Sequence, residues 1–364
     1  MKTSFESGRR KQIPPVGRND RGFWGAGCAT AGAAAWAGMA VLARMGIAKV
    51  GAIELLFLFA PLVIIPLGME LSRGIGGSDV LHELARRLQP VGAGVAVVAI
   101  WLPPGQKAAL FSIGWLIVCL LMAGSGVVGL VRAPWRDAGG VARATSDLHA
   151  TSGFPATSIV ICIARMDLGV GGAWLVASRW GMRPMGIQEP IGLLTAVHFH
   201  FAGFATAIIG AATLRFAERD AKHEWLRWLV LTVAVLPVVV AAGFVISPVV
   251  KMGAAVLFSM SVAGLAIAVR AYGRKVREAT ARILLQVAAG AIFMGMVLSG
   301  AYAFADYMGS EALTIPEMAR THGILNAVGF CLAGLLGWLV ENHTHTAVTD
   351  ERSFQTEVER EPVH

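Results

Sequence analysis

The chain has 364 residues, 55% of them hydrophobic and only 15% charged, and its mean hydropathy is +0.63. Soluble domains carry about 25% charged residues, so the composition excludes an ordinary soluble domain and indicates an integral membrane protein in contact with the lipid bilayer. The net charge of +8 does not indicate a nucleic-acid partner, because the basic residues lie in short segments between apolar stretches.

Ten apolar stretches approach the length of about 20 residues that a helix needs to cross a bilayer. They lie at 23–45, 48–72, 88–104, 107–132, 155–179, 189–216, 224–246, 248–271, 282–306 and 315–340. The third is the weakest, since Pro90 opens it and Pro103 and Pro104 close it, and a re-entrant element is the alternative there. The sequence therefore predicts an all-α, polytopic transmembrane helix bundle of about ten helices over residues 23–340.

Both ends of the chain are polar. Residues 1–22 form a basic N-terminal segment, and residues 341–364 form a polar tail that we expect to be disordered. Residues 133–155 are too polar to span and are expected to form an inner loop, with a surface helix within it as the alternative. When the N-terminus is placed inside, the inner segments hold most of the Lys and Arg residues, and this positive-inside pattern predicts that both termini are cytoplasmic.

Local patterns support several of the boundaries. Pro190 fits the first position of a helix, and Thr314 with Glu317 forms a Thr-x-x-Glu capping box in which Glu317 is a cap. The four cysteines are far apart and form no CxxC motif, so neither a disulfide framework nor a thiolate metal site is indicated.

Ionisable and strongly polar residues occur within the predicted spans. Such residues are costly at membrane depth and mark a functional site by default. The predicted topology places them in the outer half of the bundle, where we expect them to line one polar pocket. The candidates are Glu54, Asp167, Glu189, His198, His200, His322 and Asn326.

Helical geometry limits how these residues can act together. At 100° per residue, His198 and His200 lie 200° apart on a regular helix and cannot share one metal ion, so no metal site is predicted. Glu189 and His200 fall on nearly the same stripe, and His322 and Asn326 share a face. We therefore expect Glu189 and His200 to form one wall of the pocket, while His198 contacts a different neighbour.

Each of these residues also has a structural interpretation. A buried histidine often only hydrogen-bonds a neighbouring helix, Glu189 can be an interfacial helix start, and Asp167 can neutralise Arg165. Glu70 and His82 are expected to be solvated. Aromatic side chains near the candidates either pack the core or line a hydrophobic substrate chamber. The chamber candidates are Phe59, Trp174, Phe199, Phe204 and Tyr302.

Three segments resemble signature segments of YndJ-like bacterial membrane proteins. They are EPIGLLTAVHFHFAGF at 189–204, THGILNAVGF at 321–330 and ELLFLFAPLVIIP at 54–66. The resemblance implies a multi-pass protein of the bacterial inner membrane, although longer members carry a large C-terminal soluble region that this chain does not show. In size and architecture the chain is also similar to bacterial integral-membrane terpene cyclases that act on prenylated indole or diketopiperazine scaffolds.

A class II type terpene cyclase is the first function that we derive from this pattern. Such an enzyme starts the cyclisation of a prenylated, farnesyl-type small molecule by protonating it, with Glu54 or Glu189 as the acid. His200 or His322 would hold or receive the proton, oriented by Asn326. No DxDD or DDxxD motif and no diphosphate-binding cluster occurs in the sequence.

Two further functions remain open. The same residues can form the proton relay of a proton-coupled small-molecule transporter, or histidines of the sixth and tenth spans can hold haem or a metal. The cyclase hypothesis needs a hydrophobic small-molecule substrate and no cofactor. The sequence does not specify an oligomeric state.

Overall fold

A computed structural model of the protein describes residues 24–140, 156–219, 223–310 and 314–343. These residues form ten long helices and contain no strand. The helices are α1 (Trp24–Arg44), α2 (Ala52–Ile75), α3 (Val80–Trp101), α4 (Gln106–Gly140), α5 (Ala156–Trp180), α6 (Ile191–Ala217), α7 (Glu224–Ile246), α8 (Pro248–Gly273), α9 (Ala279–Tyr307) and α10 (Ile315–His343). The prediction of an all-α, polytopic helix bundle is confirmed.

Nine of the ten described helices are long and apolar enough to cross a membrane, and α3 is the exception. It is nevertheless one continuous helix of 22 residues, about 33 Å long, rather than a re-entrant element. Asp79 caps it by accepting a hydrogen bond from the backbone N–H of His82 at 2.8 Å. The helix therefore begins ten residues before Pro90, which lies inside it.

This early start buries two side chains that were expected to be solvated. His82, in the first turn of α3, is fully buried, and Glu70, near the end of α2, is 9% exposed. Glu70 lies 3.6 Å from the guanidinium of Arg73. The expectation failed because α3 starts at Val80 and packs against α2, whereas the predicted span began only at residue 88.

Helices also extend into two segments that lie outside the predicted spans. Helix α4 continues to Gly140, inside the expected inner loop, and the remainder of that loop at 141–155 lies outside the described residues. Helix α10 continues to His343, and Glu341 accepts a hydrogen bond from the backbone N–H of Arg277 at 3.1 Å. The predicted basic segment 1–22 and the rest of the predicted tail also lie outside the described residues.

The first and last described residues lie at the same face of the bundle. Gly25 in α1 packs on the side chain of Glu70 near the end of α2, and Arg86 of α3 lies 4.7 Å from the ring centroid of Trp24. His343 is within electrostatic range of Glu70. We call this the inner face, since the basic residues predict that it is cytoplasmic, and the opposite one the outer face.

Three central helices are interrupted by π-helical segments. These segments are Ala60–Ile64 in α2, Phe199–Ala205 in α6, and Ala319–Gly323 and Leu325–Leu332 in α10. The segments of the three helices contact one another in the core. Side chains bind carbonyls at the interruptions: Gln89 donates to Pro61 at 2.7 Å and Thr206 donates to Phe201 at 3.0 Å. An irregular backbone at membrane depth needs such internal partners.

The remaining helices surround this centre. Helix α1 packs on α2, while α3, α4 and α5 pack in sequence and reach α6 through α5. Helices α7, α8 and α9 likewise pack in sequence, between α6 and α10. His198 and His200 lie on opposite sides of α6. They therefore contact different groups of helices.

Candidate functional site

A cavity of about 520 Å³, which we call the chamber, lies between α6, α10 and the three helices α7, α8 and α9. It reaches toward the outer face at Phe244, Lys251 and Asp306, and it ends deeper in the bundle at Thr206 and Cys331. Its size and mainly apolar walls suit a small, largely apolar molecule. The apolar lining includes Leu56, Ile191, Leu194, Val197, Phe201, Val240, Phe244, Met252, Phe258, Val262, Ile292, Met296, Ile315 and Met318.

The interrupted parts of α6 and α10 form two walls of the chamber. Phe201 and Ala202 come from the π segment of α6, and Gly323 and Asn326 come from the π segments of α10. A π turn forms i→i+5 hydrogen bonds and often occurs at functional sites. The sequence motifs at 189–204 and 321–330 therefore overlap the π segments that line the chamber.

His322 and Asn326 form a hydrogen-bonded pair in the chamber wall. The Nδ1 atom of His322 lies 2.8 Å from the carbonyl oxygen of Gly295 in α9. A carbonyl only accepts, so Nδ1 carries a proton, and the Nε2 atom of the neutral ring accepts from the Asn326 amide at 2.8 Å. Both ring nitrogens are therefore bound, whereas Oδ1 of Asn326 has no hydrogen-bond partner among the described residues.

His198 contributes a second imidazole to the chamber from α6. Its ring is hydrogen-bonded to the backbone carbonyl of Pro237 in α7, and the ring of Phe258 packs edge-on with 6.0 Å between the centroids. Within the described part of the chain its Nε2 atom is buried without a partner. His198 and His322 are close enough to interact electrostatically.

An ion pair lies at the outer end of the chamber. Nζ of Lys251, in the first turn of α8, is 2.7 Å from Oδ2 of Asp306, near the end of α9. The side chains are 27% and 39% exposed, respectively, so solvent screens the pair. Sequence analysis did not predict this pair, since no sequence spacing connects α8 with α9.

His200 does not line the chamber. It is fully buried, its Nδ1 donates to the carbonyl of Ala196 at 2.7 Å, and its Nε2 accepts from the indole N–H of Trp115 at 2.9 Å. Trp115 belongs to α4, and Gly171 of α5 packs directly against the imidazole. His200 thus joins α6 to the helices on the side away from the chamber.

The two glutamates that were predicted as candidate acids lie outside the chamber lining. Glu189 is exposed and precedes α6, where its carboxylate accepts from the backbone N–H of Leu193 at 3.3 Å. Glu54, in the first turn of α2, folds back over Gly51. Both are within electrostatic range of Arg179, which is buried at the end of α5. These carboxylates therefore belong to a cluster at the outer face.

Asp167 is also separate from the chamber. It is buried at 3% exposure, and its carboxyl group packs against Gly203, in the π segment of α6. Its Oδ2 lacks a hydrogen-bond partner in the described structure. Arg165 instead donates to Ser125 and to the carbonyl of Gly77, so Asp167 does not neutralise Arg165.

One pocket wall made of Glu189 and His200 does not form. The prediction assumed a regular helix from residue 189, whereas α6 begins at Ile191 and becomes π-helical at Phe199. Of the seven polar candidates, His198, His322 and Asn326 line the chamber. The prediction that His198 and His200 meet different neighbours agrees with the geometry.

The aromatic candidates also divide between the chamber and the core. Tyr302 lines the chamber. Phe199 and Phe204 are buried, and Phe59 packs edge-on against Trp36 at 5.2 Å. Trp174 is half-buried against the core. Phe201 of α6 also lines the chamber. Phe244 and Phe258 line it as well, and sequence analysis missed them because neither is near a polar candidate in the sequence.

The histidines of α6 and α10 that line the chamber, His198 and His322, are those that could bind haem or a metal. Within the described residues, no three His, Cys, Asp or Glu side chains are grouped as metal ligands. His198 and His322 do approach each other, but the Nε2 lone pair of His322 is engaged by Asn326. Ligation by His322 would require this hydrogen bond to break.

The fold and the chamber define a polytopic helical membrane protein with an internal cavity. The sequence model of the YndJ-like protein family matches residues 55–330, and the chain belongs to this family. The match begins in α2 and ends in the second π segment of α10. It therefore covers nearly all residues of the π segments in α2, α6 and α10 and nearly all residues that line the chamber.

A curated relative is the uncharacterized membrane protein YndJ of Bacillus subtilis (strain 168). It is 27% identical over 176 residues, which is 48% of this chain and 31% of the relative. The chain thus aligns with less than a third of that protein's length. No solved structure matches the chain.

Proposed function

We propose that the protein binds a small, largely apolar molecule in the chamber and couples its movement across the membrane to proton transfer at His198 and His322. The main support is that interrupted helices wall the chamber and carry titratable side chains there. Transporters bind their substrates at discontinuous helices near the bilayer midplane, and ionisable groups at that depth serve as proton relays. The positive-inside pattern supports a location in the bacterial inner membrane.

The hydrogen bonds of His322 suit a group that gains and loses a proton. In the neutral ring, Nδ1 donates to Gly295 and Nε2 accepts from the amide of Asn326. In the charged ring both nitrogens donate, and a rotation of the Asn326 amide would turn Oδ1 toward Nε2. Each protonation state therefore has a complete set of partners in the same wall.

Acid-initiated cyclisation of a prenylated molecule is the second candidate, favoured by the aromatic rings of Phe201, Phe244, Phe258 and Tyr302 around the chamber. Such faces stabilise carbocations. It ranks below transport because Glu54 and Glu189 lie outside the lining and Asp306 is paired with Lys251. A general acid must reach the proton acceptor of its substrate. Asp306 is thus the acid that a cyclase in this chamber would have to use.

Binding in the chamber is tested with a matched pair of tryptophan variants in α8. Ala255 lines the chamber, whereas Met260 is 67% exposed on the outside of the helix. Farnesol and farnesyl-indole should raise the melting temperature of the wild type and of Met260→Trp by mass action. Ala255→Trp should lose this stabilisation while it remains folded. An equal response of the three proteins would contradict binding in the chamber.

Transport is tested in proteoliposomes that contain a pH-sensitive dye. A molecule that stabilises the protein should cause a pH change inside the vesicles, and His322→Gln should abolish it without loss of binding. His223→Gln is the control, since this histidine precedes α7 and is absent from the chamber lining. If no binder moves protons, but wild-type membranes convert farnesyl-indole to a cyclic product and Asp306→Asn does not, the cyclase replaces the transporter.

A further inference from the structure

A buried arginine lies near the inner face without a carboxylate as its direct partner. Arg165 of α5 is 5% exposed. Its Nη1 donates to the hydroxyl of Ser125 at 3.1 Å, and its Nη2 donates to the carbonyl of Gly77 at 3.0 Å. Its Nε has no acceptor within the described ranges. A buried guanidinium normally needs a counter-charge.

Asp79 is the nearby acid, but both of its oxygens already accept other hydrogen bonds. Its Oδ1 accepts from the backbone N–H of His82 at 2.8 Å, because Asp79 caps α3. Its Oδ2 accepts from Ser125 at 3.0 Å. Asp79 is therefore linked to Arg165 through the Ser125 hydroxyl, which leaves donor capacity at Arg165 for a further acceptor.

A cavity of about 130 Å³ is located at this arginine. We call it the inner pocket, and besides Arg165 and Asp79 its walls include Ser78, Arg132 and Ser158. Ser158 and Arg165 are seven residues apart, so they lie on the same face of α5. The cavity is separate from the chamber and is too small for an acyl chain or a prenyl chain, but it has room for a single oxyanion group.

The backbone reinforces the preference for an anion. Helix α3 starts next to Ser78, and α5 starts at Ala156, so the N-terminal ends of both helices lie at the inner pocket. The helix dipoles make such ends favourable for negative charge, and the Asp79 carboxylate already occupies part of the α3 end as its cap. Arg132, which is exposed, adds a second guanidinium.

We infer that the inner pocket binds a phosphate oxyanion, held by Arg165 and Arg132 with the hydroxyls of Ser78 and Ser158. Arginine is suited to phosphate because its N–H groups match the oxygens of the anion. Basic pockets between transmembrane helices on the cytoplasmic side bind anionic lipid headgroups. The phosphate can thus belong to an anionic phospholipid of the inner leaflet or be a free ion.

The test is a titration of the full-length protein in detergent with each probe. The melting temperature of the protein is the measured quantity. The probes are short-chain phosphatidylglycerol, a short-chain diacylglycerol that lacks phosphate, and inorganic phosphate at constant ionic strength. Phosphatidylglycerol or inorganic phosphate should stabilise the wild type, and diacylglycerol should not. Arg132→Gln should weaken the apparent affinity about tenfold, as expected for loss of a charge-assisted hydrogen bond.

Two further variants are controls for misfolding and for general charge effects. Ser158→Leu fills the inner pocket without removing a hydrogen bond of Arg165, and it should also abolish the stabilisation. Arg274→Gln removes an exposed inner-face charge outside the pocket and should behave like the wild type. Stabilisation by phosphatidylglycerol alone assigns the site to a lipid, and equal stabilisation by phosphate assigns it to the free ion. No stabilisation of the wild type, or an equal loss in Arg274→Gln, overturns the proposal.

Discussion

His198 and His200 lie two residues apart on α6 and serve opposite sides of the helix. His198 lines the chamber beside Phe258 of α8, whereas His200 is hydrogen-bonded to Trp115 of α4. The first has a buried nitrogen with no partner in the described structure, and the second has both nitrogens bound. One histidine is therefore available to a ligand, and the other stabilises the contact between helices.

This difference predicts opposite effects of the same substitution. His200→Phe should lower the free energy of unfolding by about 1–3 kcal/mol, because the buried indole N–H of Trp115 loses its acceptor. His198→Phe removes only the hydrogen bond to the Pro237 carbonyl, so it should cost less stability, about 0.5–1 kcal/mol, and it should weaken ligand binding in the chamber. Thermal unfolding and farnesol titration of both variants check this, and a loss of farnesol binding without destabilisation in His200→Phe would contradict it.

Gly203 permits the close contact between α6 and α5. A Cβ atom at this position would lie 2.7 Å from Oδ2 of Asp167 and 2.9 Å from its Cβ. Gly203→Ala should therefore destabilise the protein by about 1–3 kcal/mol through overpacking. Gly290→Ala in α9 is the control, since nothing lies within 4 Å of its Cβ position, and it should be neutral or stabilising by up to about 1 kcal/mol.

A second-site change separates overpacking from other causes. Asp167→Gly removes both the carboxyl group and the Cβ atom, so its double variant with Gly203→Ala should be less destabilised than the sum of the two single variants. A double-mutant cycle on the unfolding free energies measures this coupling. Strictly additive effects would mean that the Gly203 contact with Asp167 does not limit the packing.

The ion pair between Lys251 and Asp306 should matter more for access to the chamber than for stability. Because both side chains are partly exposed, Asp306→Asn should change the unfolding free energy by less than about 1 kcal/mol. It should change the rate at which farnesol binds, and added salt should change the wild-type rate in the same direction. Stopped-flow binding measurements on wild type and variant provide the check.

Asn326 should be needed for proton transfer and not for the fold. Asn326→Leu removes the hydrogen bond to Nε2 of His322 but retains a side chain of similar size in the chamber wall. We expect ligand-driven acidification in proteoliposomes to be lost, while the melting temperature and ligand binding are retained. Ser299→Ala, which removes another polar group from the chamber lining, is the control that should keep proton transfer.

The sequence predicted the helices well because hydropathy and span length determine them together. The bounds of α7 coincide with the predicted span at 224–246, and Thr314 and Glu317 form the predicted capping box. Helix α3 was placed too late because its first two turns are polar and Pro90 suggested a start. A helix that buries His82 between neighbours needs no apolar run there.

The candidate site was predicted only in part, since sequence spacing assigns faces only within a regular helix. His322 and Asn326 lie within the π segments and still pair, because four residues remain close in space. The predicted stripe from Glu189 to His200 failed because α6 starts later and changes its winding at Phe199. Contacts between distant helices, such as Lys251 with Asp306 or Arg165 with Ser125, leave no periodic signal.

The π segments of α2, α6 and α10 also predict a difference between the sequences of relatives. A π turn accommodates one residue more than an α turn over the same length, so each segment in α2, α6 and α10 acts like a single-residue insertion. A relative that lacks one of them should show a one-residue gap there when aligned to this chain. Removing one residue within the segment, such as Ala202, would let the π turn of α6 become α-helical, so the rest of the helix would keep the faces that it presents to its neighbours.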